Sequence, residues 1–418
     1  MAFLILDWMK YWCTILFLLL ILFSSAQTHT LQQFIEEAKV RSPLLRGYEA
    51  QLLQLRLDSA ILQATRRPQV AFVSNDLYAP VIKGYGYDEA ITNLAQLSGL
   101  VQVSRNFLSS GVIAAQFRTL SLQSQALRDT IQISIRDLVR TITDQYITAY
   151  GDLLTLNYSK DLYDLLKSEE TALKKLAQNN VIKQTEYLAF DITLQQQELT
   201  YLQAQIQYSS DYLALNYLSG IVDTAVTILA EPQLSDSLPH DFFSSVFYKR
   251  YVTDSLRIEN ERRLIDYTYR PQVGAYADAG YNSTLQNTPY KNLGFSVGLN
   301  LRIPIYDGHQ KALKYQRLDI EERSRVRARE FFVAQYQQQI GLLTKQLQST
   351  ELLFQKIRKQ VDYTRTLIEA YGKLLQTGDV KITDVITAIT NFLNAQNGFR
   401  QNVVSRLRIQ STINYYNQ

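Results

Sequence analysis

The sequence predicts a mixed α+β membrane protein in which short antiparallel strands alternate with very long helices, and three observations support this prediction. Apolar side chains alternate strictly with polar or small ones over 295–303, which is the period of a strand with two different faces. After a break at 304–308, the chain runs to about Gln376 without a proline, and its apolar residues recur at the spacing of a helix that packs against partner helices. At about 1.5 Å per residue, this helix would be roughly 100 Å long. The same order of elements also occurs twice in the chain.

Residues 1–26 have the pattern of a signal peptide. Lys10 precedes an apolar run over 11–23, and the small residues 24–26 form a cleavage site before the mature chain. The run is shorter than the roughly 20 residues that a spanning helix needs. Cys13, the only cysteine, lies inside this segment, so we expect an exported chain with no disulfide and no cysteine-based metal site.

A first structural repeat is predicted over 27–222. Its boundaries follow from prolines, glycines and changes in apolar period. The predicted elements are, in order, a helix broken at Pro43 (31–66), a strand after an Arg-Pro-Gln-Val motif (67–78), a second strand (97–108), a long helix (111–178) and a shorter helix (183–218).

A second structural repeat, 223–418, follows the same order, with a helix predicted over about 241–269 before its strands. The Arg-Pro-Gln-Val motif recurs 203 positions later, at 270–273. Further along, Asn180 aligns with Gly378 and Glu186 with Asp384, both at an offset of 198. The difference between the two offsets falls in the strand-connecting loops, where changes in length cost little. The matching motif and the constant offset predict an internal duplication.

Each repeat contributes two strands, so one chain supplies four antiparallel strands, too few to close a barrel. An open sheet edge in lipid leaves backbone groups unpaired at several kcal/mol each, so closure would require other copies. Three copies would give a trimeric, twelve-stranded barrel, an even number within the known range. Alternation alone fits the half-buried sheet of a soluble protein equally well.

One face of the last predicted strand is apolar and would contact lipid. Its residues are Phe295, Val297, Leu299, Leu301 and Ile303. The opposite face would line water, together with polar residues of the second strand, and consists of Ser296, Gly298, Asn300, Arg302, Gln102, Ser104 and Asn106.

The net charge of +4 is spread along the chain, which argues against a nucleic-acid partner. The three histidines have no metal-ligand spacing with one another or with cysteine. The sequence contains neither a Gly-x-Ser-x-Gly elbow nor a phosphate-binding glycine loop. We therefore expect no catalytic residues, no metal and no cofactor, and we do not expect an enzyme.

Across essentially the whole mature chain, the sequence resembles the TolC-like outer-membrane channel family. The resemblance is carried by the duplicated Arg-Pro-Gln-Val strand starts, the Ile-Pro-Ile-Tyr-Asp-Gly junction at 303–308, and the two turn segments 180–186 and 378–384. It implies a homotrimer whose barrel lies in the outer membrane of a Gram-negative bacterium and continues as a coiled-coil helical tunnel through the periplasm.

The resemblance also implies an exit duct for a tripartite efflux or type I secretion system. Such a duct conducts cargo passively from an inner-membrane pump, with which it assembles through a periplasmic adaptor protein. The alternative from a different class is an exported coiled-coil scaffold or adhesin without channel activity.

Adaptor docking is expected at the tips of two helical hairpins. These tip residues are Asn180, Val181, Ile182, Gly378, Asp379 and Val380. Asn180 and Gly378 suit the left-handed conformation that ends a helix and reverses the chain. Lys183 and Lys381 stand where the family often has Ser, so both tips lack a capping hydroxyl.

Two acids follow the tips at equivalent positions, Glu186 and Asp384, and are the expected periplasmic gate. The resemblance implies that Asp384 is an aperture acid of the channel, while Thr387 replaces the family's second acid. Both residues also fit an ordinary role as first-turn acids, which stabilise a helix N-terminus by about 0.3–1 kcal/mol each. For Glu186 the two roles remain open.

Overall fold

The computed structural model describes residues 29–80, 82–87, 95–234, 242–284, 289–377 and 379–417. The predicted signal peptide and Gly378 lie outside the described residues. Helices in this part of the chain are α1 (Leu31–Arg41), α2 (Pro43–Ala64), α3 (Ser110–Gln178), α4 (Gln184–Ser219), α5 (Val246–Thr268), α6 (Gln310–Thr377) and α7 (Ile382–Asn417). Strands are β1 (Gln69–Ser74), β2 (Leu77–Tyr78), β3 (Ala95–Phe107), β4 (Gln272–Ser283) and β5 (Leu293–Arg302).

The helix lengths agree closely with the predicted order and occur in matching pairs. The long helices α3 and α6 have 69 and 68 residues, and α4 and α7 have 36 each. α2 begins at Pro43, where a fixed φ favours the first helical position. α5 begins later than predicted, because a short 3₁₀ turn at Phe242–Ser244 precedes it. None of the described helices is long and apolar enough to cross a membrane.

The chain forms two compact units. The helical unit comprises residues up to 45, 132–245 and 334–418, and the sheet unit comprises 46–131 and 246–333. Each unit draws on both halves of the chain. The predicted repeats at 27–222 and 223–418 describe the order of elements along the sequence and remain a prediction.

The sheet unit contains an antiparallel sheet in the order β1-β3-β4-β5, with the two-residue β2 pairing with β3. Its register pairs Val103 with Ala277 and Ala277 with Val297. Directly paired residues share a face, so the apolar positions of four strands form one surface. The predicted lipid-facing side chains lie on this surface and are exposed: Phe295 85%, Val297 76%, Leu299 78% and Leu301 64%. Ile303, just after β5, is 52% exposed.

The opposite face is polar, as predicted. The register aligns Gln102 with Asp278 and Asp278 with Ser296, whose hydroxyl donates to the Asp278 carboxylate at 2.8 Å. The ring of Tyr276 lies against Gly298, where an added Cβ would be 2.4 Å from the ring. A glycine is therefore needed beneath this tyrosine.

The helical unit is held by two apolar clusters. One, the hairpin cluster, joins α3, α4, α6 and α7 and includes Leu173, Phe190, Leu375 and Phe392. The other joins α1, α3 and α4 and includes Phe34, Ile142, Tyr146, Tyr212 and Leu215. Ile142, Leu173 and Leu375 belong to the predicted helix seams and are at most 1% exposed, so the heptad spacing identified buried positions correctly.

Tyrosine hydroxyls attach two extended segments to the second cluster. The Tyr146 hydroxyl lies 3.0 Å from the His29 carbonyl oxygen and 2.7 Å from the Ala230 carbonyl oxygen. Tyr208 donates to the Thr227 carbonyl at 2.5 Å. The start of the described chain and the segment after α4 are thus fixed to the same helices.

Asp152 of α3 and Asp211 of α4 form a hydrogen-bonded carboxyl pair, with the Arg400 guanidinium 3.8 Å from Asp152. Burial raises the pKa of Asp152 to about 7, the hydrogen bond and the charge of Asp211 act in the same direction, and Arg400 opposes them. Burial alone would raise the pKa of Asp211, but hydrogen bonds from Asp152, Gln207 and Gln145 leave it lowered. The two Asp211 oxygens accept hydrogen bonds from the side-chain amides of Gln145 and Gln207, which favour the charged form of Asp211.

Replacing Tyr146 by Phe should lower the free energy of unfolding by about 1–3 kcal/mol, because the partly buried Ala230 carbonyl oxygen loses the Tyr146 hydroxyl as its donor. Thermal unfolding of the detergent-purified protein, followed by helical circular dichroism, measures the change. Tyr85→Phe is the control, since Tyr85 is 86% exposed and lies in the loop after β2. Equal unfolding temperatures for the two variants would contradict a structural role for the Tyr146 hydroxyl.

The Asp152 carboxyl should make stability depend on pH. Its pKa in the folded protein, about 7, lies above the ordinary value of 3.8, so the folded state binds more protons between these limits. The contribution of this group is therefore greatest at low pH and is lost as pH rises to about 7. Asp152→Asn should unfold with a smaller temperature difference between pH 5 and pH 8 than the wild type. The exposed Asp161→Asn on the same helix should match the wild type, and an unchanged difference in Asp152→Asn would contradict the pairing.

Candidate functional site

The turn between α3 and α4 has the geometry expected of a hairpin tip. Asn180 adopts the predicted left-handed conformation, with φ at 57°. The Asn180 N–H donates to the Ala177 carbonyl at 3.1 Å, and the Val181 N–H donates to the Leu176 carbonyl at 2.9 Å. Together these bonds form a Schellman motif, which satisfies carbonyl groups that would otherwise be unpaired at the helix end.

The turn between α6 and α7 repeats the second of these hydrogen bonds, the one that spans five residues. The Asp379 N–H donates to the Leu374 carbonyl at 3.0 Å, and both residues lie 198 positions after their counterparts in the first turn. The Thr377 hydroxyl donates to the Asp379 carboxylate at 2.6 Å. Gly378, the predicted left-handed residue of this turn, lies outside the described residues.

The chain enters the next helix in the same way at both turns. The Glu186 N–H donates to the Lys183 carbonyl, and the Asp384 N–H donates to the Lys381 carbonyl, both at 3.0 Å. Lys183 is extended at the N-cap and makes no side-chain capping bond. The Lys183 side chain has no hydroxyl that could cap the helix, and its backbone carbonyl accepts the Glu186 N–H instead.

The predicted tip residues separate into two groups. Asn180, Val181 and Asp379 are exposed, and Val181 is 57% exposed. Ile182 and Val380 are half-buried and pack against the hairpin cluster. Ile182 and Val380 thus hold the turns onto the helices, while the exposed residues form the surface that a partner could contact.

The two predicted gate acids occupy equivalent places. Glu186 lies in the first turn of α4 and Asp384 in the first turn of α7. Glu186 is half-buried and Asp384 is exposed, and neither forms an ion pair with a described residue. A first-turn carboxylate stabilises the helix dipole. This position fits that role, and it also leaves the Asp384 carboxylate free to contact an ion or a neighbouring chain.

Aromatic side chains lie at both ends of the apolar sheet face, a feature that sequence reasoning did not use. Phe107 and Tyr306, 50% and 77% exposed, lie at the end where β3 and β5 finish. Tyr78 and Tyr290, 75% and 77% exposed, lie at the other end. Two aromatic girdles around an apolar band are typical of membrane-spanning sheets. The sequence could have predicted this feature, because these aromatic residues lie close to the ends of the predicted strands.

No group of three or more His, Cys, Asp or Glu residues suited to a metal ion occurs in the described part of the chain.

No protein-family model matches the sequence, and the search of curated proteins gives no significant match. Solved structures do match, with coverage of most of both chains. The CmeC outer membrane channel of Campylobacter jejuni is 13% identical, with a TM-score of 0.71 over 93% of this chain and 85% of that one. The outer membrane protein VceC of Vibrio cholerae is 14% identical, with a TM-score of 0.71 over 93% and 96%.

The open state of the Neisseria gonorrhoeae MtrE outer membrane channel is 12% identical, with a TM-score of 0.72 over 92% of this chain and 88% of that one. CmeC and MtrE are outer membrane channels, and VceC is an outer membrane protein. At sequence identities this low, the structural matches establish similarity of fold alone. The chain has the fold of the TolC-like outer-membrane channels, which its sequence motifs resemble.

Proposed function

We propose that this protein is an outer-membrane exit duct, which passively conducts cargo delivered by an inner-membrane pump. The observation that carries the proposal is the antiparallel sheet with one exposed apolar face, one polar face and aromatic residues at both ends. An exported scaffold or adhesin has no need for such a sheet. A duct needs it because the apolar face contacts lipid while the polar face lines a water-filled passage.

A homotrimer is the second part of the proposal. β1 and β5 are the outer strands of the described sheet, so their outer backbone groups require partners from other copies. Three copies close a twelve-stranded barrel, within the range for outer-membrane barrels.

An exposed stripe on α4 supports association between copies. Its apolar residues recur at intervals of three, four or seven, the spacing of a helix seam, and each is at least 37% exposed in the single chain. The stripe consists of Leu188, Ile192, Leu199, Leu202, Ile206, Leu213 and Tyr217. Similarly, α2 buries none of its residues. A helical tunnel shared by three copies would cover these faces and extend into the periplasm, where an adaptor contacts the exposed tips.

Planar-bilayer recordings test the duct directly. The purified protein should give a steady conductance that selects cations, because carboxylates in a narrow passage attract them and low-dielectric walls focus the field. Absence of conductance in protein that has retained its helical circular dichroism would favour the scaffold alternative.

Asp384→Ala should relieve most of the block that a trivalent cation causes from the periplasmic side, because three copies would otherwise place three of these carboxylates near the axis. Glu186→Ala should have the smaller effect. Glu198→Ala, an exposed acid further along α4, is the control and should leave the block unchanged. Full block in Asp384→Ala would exclude this residue from the gate without affecting the duct itself.

Asn180→Val should strain the left-handed turn by about 1–2 kcal/mol, because a branched side chain fits a positive φ poorly. Export of a pump substrate in cells should fall more than trimer recovery. Asn180→Gly is the matched control, since glycine adopts this conformation readily. Normal export by Asn180→Val at normal trimer levels would show that this tip is not a docking site.

A further inference from the structure

Arg105 is the one charged residue on the apolar face of the described strands. The register pairs it with Ala275, which in turn pairs with Leu299. Its neighbours along the same face of β3 are Val103 and Phe107. If this face contacts lipid, as the proposed function requires, a guanidinium this close to the end of β3 can reach the headgroup region, where an anion would stabilise it.

Within the described residues, no carboxylate pairs with the Arg105 side chain. It is exposed and forms no ion pair with a described residue. Its guanidinium carbon lies 5.5 Å from the ring centroid of Phe107, two residues closer to the end of β3. The side chain therefore extends along the sheet toward the strand end that leads into α3. Long basic side chains take this course when their charge reaches for the headgroup region.

The charge lies beside a groove in the apolar face. Ala275 and Ala277 of β4 are flanked by larger side chains of β3 and β5, including Val103 and Val297. The depression over these alanines has a volume of about 450 Å³, and Arg105 is one of its lining residues. An open, largely apolar depression lined at one point by a cation is complementary to an amphiphile with an acyl chain and an anionic head.

We propose that Arg105 and the alanine groove bind one anionic glycerophospholipid. The guanidinium donates to phosphate oxygens, for which its planar pair of N–H groups is well suited. One acyl chain lies over Ala275 and Ala277. Arg302 lies at the same end of the sheet but on the polar face, so it does not take part in this site.

Native mass spectrometry of the detergent-purified protein, titrated with phosphatidylglycerol, tests the site. The wild type should bind phosphatidylglycerol more tightly than zwitterionic phosphatidylcholine, and excess inorganic phosphate should not displace it, because the groove holds the acyl chain. R105Q should weaken phosphatidylglycerol binding about tenfold or more, as expected when charged hydrogen bonds are lost.

Two further variants separate the charge from the groove. A277L keeps the cation but fills the groove and should also weaken binding, while R302Q should bind as the wild type does. Equal affinity of R105Q and the wild type for phosphatidylglycerol would overturn the proposal, as would displacement by inorganic phosphate. Bilayer conductance of the same samples distinguishes failure of the lipid-site proposal from failure of the duct proposal. If R105Q conducts and its lipid affinity is unchanged, only the lipid site is refuted. If the wild type does not conduct, the duct is refuted.

Discussion

Backbone hydrogen bonding at the outer strands is the constraint from which the rest of the structure follows. β1 and β5 pair on one side only within the described sheet, and lipid offers no donor or acceptor to the other side. An apolar face as exposed as that of Phe295 and Leu299 is equally unsuited to water. The proposed trimer would solve both problems, because copies of the chain would complete each other's sheet within a membrane.

Some helices also leave apolar surface exposed in the single chain. The hairpin cluster buries the inward seams of α3, α4, α6 and α7, but α4 retains an exposed apolar stripe and α2 has no buried residue. A single chain therefore buries part of its apolar surface and leaves the remainder exposed, where the proposed trimer would cover it. The two turns, closed by equivalent backbone bonds 198 positions apart, allow antiparallel helices to pair without a long connecting loop.

Periodic features of the sequence predicted most of this fold. The alternation at 295–303 gave the correct faces of β5, and the heptad spacing gave buried residues such as Leu375. Asn180 identified a left-handed turn because few other residues tolerate one. Local patterns of this kind depend only on neighbouring residues, which is why they could be read without a structure.

Features that depend on distant partners could not be predicted. The pKa of Asp152 follows from burial together with Asp211 and Arg400, which come from other helices. The half-buried positions of Ile182 and Val380 follow from the hairpin cluster. The alternation in β3 already puts Arg105 on the face of Val103, but only the register shows that Ala275 of β4 lies beside it.

The central claim is that the sheet is completed by other copies, and the mass of the detergent-purified particle tests it most directly. Native mass spectrometry after detergent removal should give three times the mass of the mature chain, with no stable smaller species. A stable, folded particle with the mass of one chain would contradict the account, because its sheet edges would then persist without partners.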